Sequence, residues 1–311
     1  MDMIIAVDIG GTQIRVAVYP EGEHRPIKQK RIPTRIADEQ PLDRVIGLIA
    51  ELWPVNDRVC AIGLAVPGWI NHNLGVVYVA PNIPGWEKLP LGPIISERFG
   101  VPVKLGNDAN LAALGEWRFG AGKGHHDLIY MTVSTGIGGG VILDDRLLLG
   151  ANGLATELGH VTILPDGPMC GCGHRGHLEA LGSGTAIAKY VAEQLAQGVP
   201  SSLAQIPNPR GRDISMAAEQ GDPLAKAALT RAGSYIGLGL ANYLHIFNPS
   251  IVIIGGGVSR SGPLLFEPMR AALAEHVLSP EYLQGLMITT AALGDDAGLM
   301  GALAYAEKAN E

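Results

Sequence analysis

The sequence lacks several features expected of an exported or membrane-bound protein. Only three cysteines occur among 311 residues, and no basic segment of the kind that opens a signal peptide follows Met1. An odd number of cysteines without an export signal argues against a disulfide framework. No apolar run is long enough to cross a bilayer without Asn, His or a charge. We therefore expect a cytoplasmic protein without a membrane partner, in which Cys60 is a buried core thiol.

Positive charge is also scarce. The 23 Lys and Arg residues are outnumbered by 30 Asp and Glu residues, which gives a formal net charge of −7. This balance argues against a general attraction to nucleic acid or anionic lipid, and small anionic ligands would need dedicated binding sites. With 47% hydrophobic residues, a chain of this length can bury a core large enough for two lobes.

What the sequence does contain is an alternation of short β-branched runs with helical segments, which is typical of an α/β fold. The predicted strands are 4–7, 15–19, 61–66, 101–105, 128–133, 141–143 and 251–254. The predicted helices are 42–53, 107–119, 185–197, 223–247 and 264–276. In the longest, Gly233, Gly237 and Gly239 indicate either close helix packing or a break after Ala232. The Pro-, Ser- and Gly-rich stretch 198–212 is predicted to be a surface loop.

Two glycine-rich turns follow predicted strands, one at 10–13 and one at 134–140. Glycine lets the backbone approach an anion closely, so successive N–H groups can converge on phosphate oxygens. Neither turn is a Walker A loop, because no Lys follows the glycines. Their recurrence predicts a duplicated module with nucleotide in the cleft between the halves, and Asp8 supplies a carboxylate for Mg²⁺. The predicted phosphate-binding residues are Gly10, Gly11, Thr12, Gln13, Thr135, Gly136 and Gly138.

Further segments carry a resemblance to a known family. They are Asn82-Ile83-Pro84-Gly85-Trp86, 105–113, 157–179, Gly255-Gly256-Gly257 and 293–302. Together with the first turn, they resemble the ROK family of sugar kinases and sugar-responsive repressors over nearly the whole chain. The resemblance implies a two-lobed, actin-like fold that duplicates a ribonuclease-H-like unit, with ATP and sugar between the lobes. We expect a small lobe at 1–117, a large lobe at 118–297, and a C-terminal helix at 298–311 that packs back on the small lobe.

The resemblance also implies roles for individual residues. Asp108, at the junction of a strand and a helix, takes the place of the general base, although Asn107-Asp108 could equally cap that helix. A helix N-terminus favours the anion, so we expect it to weaken Asp108 as a base. Gly256 and Gly257 are expected to border adenine and ribose. The expected sugar contacts are Gly68, Asn82, Asn107, Asp108, Glu157, His160 and Glu179.

A structural Zn²⁺ site is expected between residues 160 and 177. Two thiols and two imidazoles, from His160, Cys170, Cys172 and His177, can form a closed tetrahedral site. The family pattern has a third Cys where this chain has His177, so Cys₂His₂ ligation is expected, with His174 as a rival fourth ligand. The resemblance implies that His160 binds zinc through one ring nitrogen and a sugar hydroxyl through the other.

The expected activity is transfer of the γ-phosphoryl group of Mg-ATP to the 6-hydroxyl of a hexose. Glucose is favoured by residues 82–86, with N-acetylmannosamine, N-acetylglucosamine or fructose as alternative acceptors and polyphosphate as an alternative donor. The family's repressors carry an N-terminal helix-turn-helix, whereas the phosphate strand here begins by Ile4. A non-catalytic regulator is therefore the less favoured reading. The resemblance also implies a homodimer.

Overall fold

The first of two five-stranded β-sheets forms around the apolar N-terminal run. In the computed structural model, which describes residues 1–307, strand β1 is buried almost throughout and pairs with a neighbour on either side. The strand order is β3-β2-β1-β4-β8, with β1, β4 and β8 parallel and β2 and β3 antiparallel. The strands are β1 (Asp2–Ile9), β2 (Gln13–Pro20), β3 (Lys28–Pro33), β4 (Arg58–Val66) and β8 (Val103–Asn107).

The second sheet repeats that arrangement. Its order is β11-β10-β9-β12-β13, again with the first three strands antiparallel and the last three parallel. The strands are β9 (Leu128–Val133), β10 (Ile137–Leu143), β11 (Arg146–Leu147), β12 (Ile251–Gly255) and β13 (Met287–Thr290). The repeated order and strand directions confirm the duplicated module. The first glycine-rich turn joins β1 to β2, and the second joins β9 to β10.

A small three-stranded antiparallel sheet extends the first half and was not predicted from the sequence. It consists of β5 (Trp69–Asn71), β6 (Val76–Val79) and β7 (Glu87–Leu89). Gly68 lies just before it with φ +100°, and a Cβ there would come within 2.0 Å of the Val79 carbonyl oxygen. Gly68 is therefore required by backbone packing, which is a different reason from the close approach of sugar that we expected.

The helices flank and separate the two sheets. They are α1 (Pro41–Leu52), α2 (Leu91–Phe99), α3 (Asp108–Phe119), α4 (Leu178–Gly182), α5 (Gly184–Ala196), α6 (Gly211–Glu219), α7 (Pro223–Phe247), α8 (Pro263–His276) and α9 (Ala297–Glu307). Helix α7 is continuous, so a break after Ala232 is wrong and close packing is confirmed. A Cβ at Gly237 would lie 2.2 Å from the Met269 carbonyl oxygen on α8, because the two helices are almost in backbone contact.

Helices α3 and α9 cross between the two sheets, and each has a glycine at the crossing point, Gly115 in α3 and Gly301 in α9. A Cβ on Gly301 would lie 1.7 Å from the Leu111 carbonyl oxygen, and one on Gly115 would lie 2.7 Å from the Ala297 carbonyl oxygen. Helix α9 also packs on β1 and β4, and α3 packs on β9 and β10. The crossing therefore joins the two sheets.

Buried Glu116 fixes the approach to α9. Its carboxylate accepts hydrogen bonds from the backbone N–H groups of Ala121, Ala292 and Leu293, at 2.8–3.1 Å. These donors satisfy a charge that would otherwise be costly to bury. Glu116 thus ties the end of α3 to the segment that leads into α9.

Two expectations need correction. The stretch 198–212 contains a short 3-10 helix at Ser202–Gln205, and α6 begins at Gly211, so only part of the stretch is loop. Cys60 is half-buried, with its sulfur 3.1 Å from the Met3 carbonyl oxygen, because it lies on β4 at the edge of the core. The lobe boundaries at 117 and 297 stay predictions, and the end of the predicted helix 298–311 lies outside the described residues. Within residues 1–307, no helix combines the length and apolar character needed to span a bilayer.

Candidate active site

The first glycine-rich turn joins β1 to β2 and is braced from two sides. Gly10 donates its N–H to the Gln13 carbonyl oxygen at 2.8 Å, which closes the turn. A Cβ on Gly11 would lie 2.9 Å from the Cβ of Asn82, so only glycine lets this turn reach the 82–86 segment. The structure therefore places Asn82, a predicted sugar contact, directly against a predicted phosphate turn.

Asp8, at the end of β1, is paired with a cation that the sequence analysis missed. Arg15 donates to the Asp8 Oδ2 atom from Nη2 at 2.6 Å and from Nε at 3.2 Å. The same guanidinium binds the Asp296 carboxylate at 3.0 Å, so it links β1 to the segment before α9. Burial raises the pKa of Asp8, and Arg15 opposes that rise. Both contacts use Oδ2, which leaves Oδ1 as the oxygen available to a metal ion.

Asp108 begins α3 at the carboxyl end of β8. Its Oδ1 accepts the Ala109 N–H at 2.8 Å. Loss of solvation raises the pKa of Asp108 from 3.8 to about 6, helped by the negative charges of Asp8 and Glu157 and opposed by the Ala109 N–H. The Ala109 N–H at the helix terminus lowers this pKa, as expected, but burial and two acidic neighbours outweigh it, so the net effect is a stronger base.

Asn107 caps α3 with its side chain. The Oδ1 atom accepts the N–H groups of Ala109 and Asn110 at 2.9 and 3.1 Å, and Nδ2 donates to the Gly68 carbonyl oxygen at 3.0 Å. The alternative interpretation of this pair, a helix cap, therefore holds for Asn107. Since both ends of the amide have partners in the protein, Asn107 holds Asp108 in place, whereas its direct contact with sugar stays a prediction.

The second glycine-rich turn is connected to the 157–179 segment through Glu179. The Oε2 atom of Glu179 accepts the Ile137 N–H at 3.0 Å, and a Cβ on Gly136 would lie only 2.3 Å from that oxygen. Oε1 lies 3.5 Å from the Cys170 sulfur. Gly138 lies inside β10, against Ala109 of α3. The structure thus joins a predicted phosphate turn, a predicted sugar ligand and the cysteine segment.

Four residues of the predicted metal site come together. The ligand atoms of His160, Cys170, Cys172 and His177 all lie within 4.8 Å of one another. Tetrahedral zinc would hold sulfur and nitrogen ligands about 3.6 Å apart. The distances from sulfur to Nδ1 are 3.8 Å for Cys170–His160 and 3.2 Å for Cys172–His177. The donor set and its spacing fit a closed Zn²⁺ site.

The rival ligand His174 lies at the edge of this cluster. Its Nδ1 is 3.8 Å from the Cys172 sulfur, but its side chain is exposed, whereas His177 is buried. Burial also lowers the pKa of His177, assisted by His160 and His174, which favours the neutral imidazole that metals bind. The geometry supports His177 over His174.

A cavity of about 970 Å³ opens beside the second turn. It is bounded by α5, α6 and the glycine turn after β12, and its lining includes the predicted nucleotide contacts Thr135 and Gly257. Sequence reasoning missed four cationic side chains around it: Lys189, Arg210, Arg212 and Arg260. Reading 198–212 as a loop concealed Arg210 and Arg212, although an Arg-Gly-Arg sequence before a helix is a detectable signal. The cavity is large enough for a nucleoside.

Comparison with known proteins agrees with this geometry. The ROK family model matches residues 4–309. The chain is 36% identical to the glucokinase of Streptomyces coelicolor, covering 97% of this chain and 96% of that one. It is 39% identical to the glucokinase of Thermotoga maritima, over 96% and 95% of the two chains. A ROK glucokinase from Streptomyces griseus, solved with glucose and AMPPNP, superposes with a TM-score of 0.81 at 37% identity and covers 98% of this chain and 99% of its own.

Regulators also match. The xylose repressor of Bacillus subtilis is 36% identical over 84% of this chain and 64% of its own length. Proteins named as repressors therefore share much of this sequence with proteins named as glucokinases. From the match across almost all of its length, the chain belongs to the ROK family.

Proposed function

We propose that this protein is an ATP-dependent glucokinase that converts glucose and ATP to glucose 6-phosphate and ADP. The observation that carries the proposal is the full-length similarity to glucokinases, one of which was solved with glucose and AMPPNP. The geometry adds a base with a raised pKa, Asp108, close enough to Asp8 and Glu157 to sense their charges. A buried carboxylate between a phosphate turn and a hydroxyl-binding segment suits phosphoryl transfer to an alcohol.

In the proposed reaction, Asp108 accepts the proton of the 6-hydroxyl as that oxygen attacks the γ-phosphorus. The bond to the β,γ-bridging oxygen breaks, and ADP leaves. Phosphoryl transfer demands little activation of the nucleophile, so the main task of Asp108 is to orient the hydroxyl. Residues Gly10–Thr12 and Thr135–Gly136 supply backbone N–H groups to the phosphates. Glu157, His160 and Asn82 bind sugar hydroxyls, and closure of the lobes excludes water as a competing acceptor.

Mg²⁺ fits the carboxylate of Asp8. The Oδ1 atom of Asp8 remains available beside the first turn, because Arg15 occupies Oδ2. When bound there, Mg²⁺ would neutralise negative charge on the phosphates. Arg15 restrains the Asp8 side chain from the other side.

A structural Zn²⁺ fits His160, Cys170, Cys172 and His177, whose donor atoms cluster as described. Four protein ligands leave no position for substrate, so the metal shapes the segment between β10 and α4 and takes no part in the reaction. Burial raises the pKa of the Cys170 thiol to about 11, so its thiolate depends on a nearby cation. In this proposal His160 orients a sugar hydroxyl while the metal fixes its ring.

The decisive experiment measures ADP release from ATP over a panel of glucose, mannose, fructose, N-acetylglucosamine and N-acetylmannosamine, with the product position identified by NMR. We expect glucose to give the highest kcat/KM and phosphate on O6. A higher kcat/KM with an N-acetylated hexose would reassign the substrate. Replacing ATP by polyphosphate in the same assay tests the donor.

The second candidate function is sugar-responsive regulation, which the similarity to xylose repressors favours. A gel-shift assay with genomic DNA fragments, with and without sugar, separates the two. Sugar-dependent DNA binding together with no ADP release would replace the kinase proposal. The glucokinase proposal also includes a homodimer, which light scattering tests, and a cytoplasmic location, which cell fractionation tests.

A further inference from the structure

Thr156, immediately before Glu157, has a backbone conformation that its residue type disfavours. Its φ is +66°, in the left-handed region. Asn and Asp visit that region fairly readily, but a β-branched residue there is an outlier. Such outliers persist only where the surrounding structure enforces them, and they concentrate at functional sites.

The contacts of Thr156 explain why it stays there. Its Oγ1 lies 2.6 Å from the Oδ1 atom of Asn110 and 2.6 Å from the Ala155 carbonyl oxygen. Asn110 is 3% exposed and lies on α3, two residues after Asp108. A Cβ on Gly140 would lie 3.0 Å from the Cα of Asn110, so β10 holds Asn110 tightly from behind. The hydroxyl of Thr156 is thus directed at a fixed, buried acceptor.

The chain after Thr156 is fixed as well. The Thr156 carbonyl oxygen accepts the Leu158 N–H at 2.7 Å, which closes a three-residue turn immediately before the short 3-10 helix Leu158–His160. Gly159 packs so closely on β10 that a Cβ would lie 2.0 Å from the Ile137 carbonyl oxygen. Between this fixed helix and Asn110, residue 157 has little freedom, so the conformation at Thr156 decides where the Glu157 carboxylate points.

We propose that Thr156 and Asn110 form a positioning pair that couples the helix of Asp108 to Glu157 and so sets the affinity and selectivity for the sugar. The inference rests on the proposed function, in which Glu157 binds a sugar hydroxyl. Neither member of the pair touches the reacting atoms. Both act by holding Glu157 in register with Asp108.

The test compares Thr156→Gly with Thr156→Ser. Glycine removes the backbone strain but also the hydroxyl, so we expect an unchanged or higher melting temperature together with a sugar Kd weakened about three- to tenfold, the value of one hydrogen bond. Serine keeps the hydroxyl and should restore most of the affinity. The Kd is measured by calorimetry for each hexose of the panel, so the result is readable whichever hexose binds best.

Asn248→Gly provides a matched control. Asn248 also has positive φ, +43°, but it caps the C-terminus of α7. We expect this variant to gain stability with no change in sugar affinity. Asn110→Ala combined with Thr156→Gly should cost no more affinity than the larger single effect, because the two residues act through one hydrogen bond. If Asn110→Ala does not fold, the comparison of Thr156→Gly with Thr156→Ser still tests the inference.

Unchanged sugar affinity in Thr156→Gly would overturn the inference and leave only local strain. Equal losses in the glycine and serine variants would also overturn it, because they would assign the effect to the methyl group. Failure of the proposed function is a separate result: wild-type protein that binds hexose without releasing ADP would refute the kinase, whereas the position-156 comparison would still report on Glu157.

Discussion

Burial makes the negative charge of Asp108 unfavourable for folding. A carboxyl group whose pKa is raised in the folded chain binds its proton more tightly there than in the unfolded chain. Its contribution to folding stability therefore falls as pH rises from about 4 to about 6. The buried carboxylate that suits a proton acceptor is, for the same reason, a cost to stability.

The first prediction concerns this residue. Asp108→Asn should lower kcat at least about a hundredfold, because the proton acceptor is lost, while glucose affinity changes little. The melting temperature at pH 7 should rise, since removing a carboxylate with this pKa shift relieves up to about 3 kcal/mol. Steady-state kinetics, calorimetry with glucose and thermal unfolding check the three parts. Unchanged turnover would remove Asp108 from the mechanism.

The second prediction concerns pH. Because Asp108 must be ionised to accept a proton, kcat/KM should rise with pH and reach half its maximum near pH 6, where the folded pKa lies. An ordinary aspartate would place that midpoint near pH 4. A pH–rate profile from pH 4.5 to 8 distinguishes these two midpoints, and the melting temperature is measured over the same range. A midpoint near 4 would show that Asp108 is not buried in the active protein.

The candidate functional residues that could be identified from the sequence are those that lie in local motifs. Asp108 and the predicted Cys and His ligands lie in short segments whose pattern is visible in the linear sequence. Arg15, Asn110 and Thr156 were missed because their roles come from contacts between distant residues: Arg15 with Asp296, and Asn110 with Thr156. The raised pKa of Asp108 was missed for the same reason, since burial and neighbouring charges are three-dimensional properties.

In the proposed function the segment 157–179 shapes the sugar site, and the third prediction tests the Zn²⁺ proposed for it. His177→Ala should lose bound zinc and weaken glucose binding, because His160 would no longer be fixed. His174→Ala is the matched control and should retain one zinc per chain. Metal analysis of freshly purified protein and calorimetry with glucose check both variants. Zinc loss in the His174 variant alone would reassign the fourth ligand.

The crossing of α3 and α9 leads to the fourth prediction. Gly301→Ala places a methyl group against the Leu111 carbonyl oxygen, where an ideal Cβ would lie at 1.7 Å, so the helices must separate. We expect a loss of stability of about 1–3 kcal/mol and reduced turnover, because the lobes would be displaced. Gly47→Ala, in α1 with no atom within 4 Å of the added Cβ, should be neutral or stabilising. Denaturant unfolding of both variants measures the difference.

At the scale of helices and strands, the long, periodic elements could be predicted from the sequence, whereas the short strands could not. Strand β9 and helix α7 match their predicted bounds, since each is a continuous apolar or periodic run. Strand β3 is largely exposed, and β5, β6 and β7 have only three or four residues each, too few to show an alternation. Their pairing, and not their composition, makes them strands.

For the whole molecule, the recurrence of a glycine turn after a strand was enough to predict duplication, but not the strand order. The order depends on which strands pair, and parallel pairs such as β1–β4 join distant segments, for example Asp2 with Arg58 and Asp8 with Ala65. Two similar sheets connected by the α3–α9 crossing form an arrangement for which we expect hinge motion about that crossing. This arrangement puts Asp8 and Asn82 on one side, with Glu179 and the large cavity on the other.

The fifth prediction concerns closure of the two halves. Since the sugar would contact both halves, binding energy from glucose should favour a closed form, and small-angle scattering should show a smaller radius of gyration with glucose than with ATP alone. D-xylose, which lacks the 6-hydroxymethyl group, should occupy the sugar site and raise the slow ATPase rate several-fold, because closure then aligns water in place of the missing hydroxyl. In Gly301→Ala both responses should be smaller, whereas Gly47→Ala should behave like wild type. An unchanged radius of gyration together with an ATPase rate insensitive to D-xylose would mean that the cleft is already closed before sugar binds.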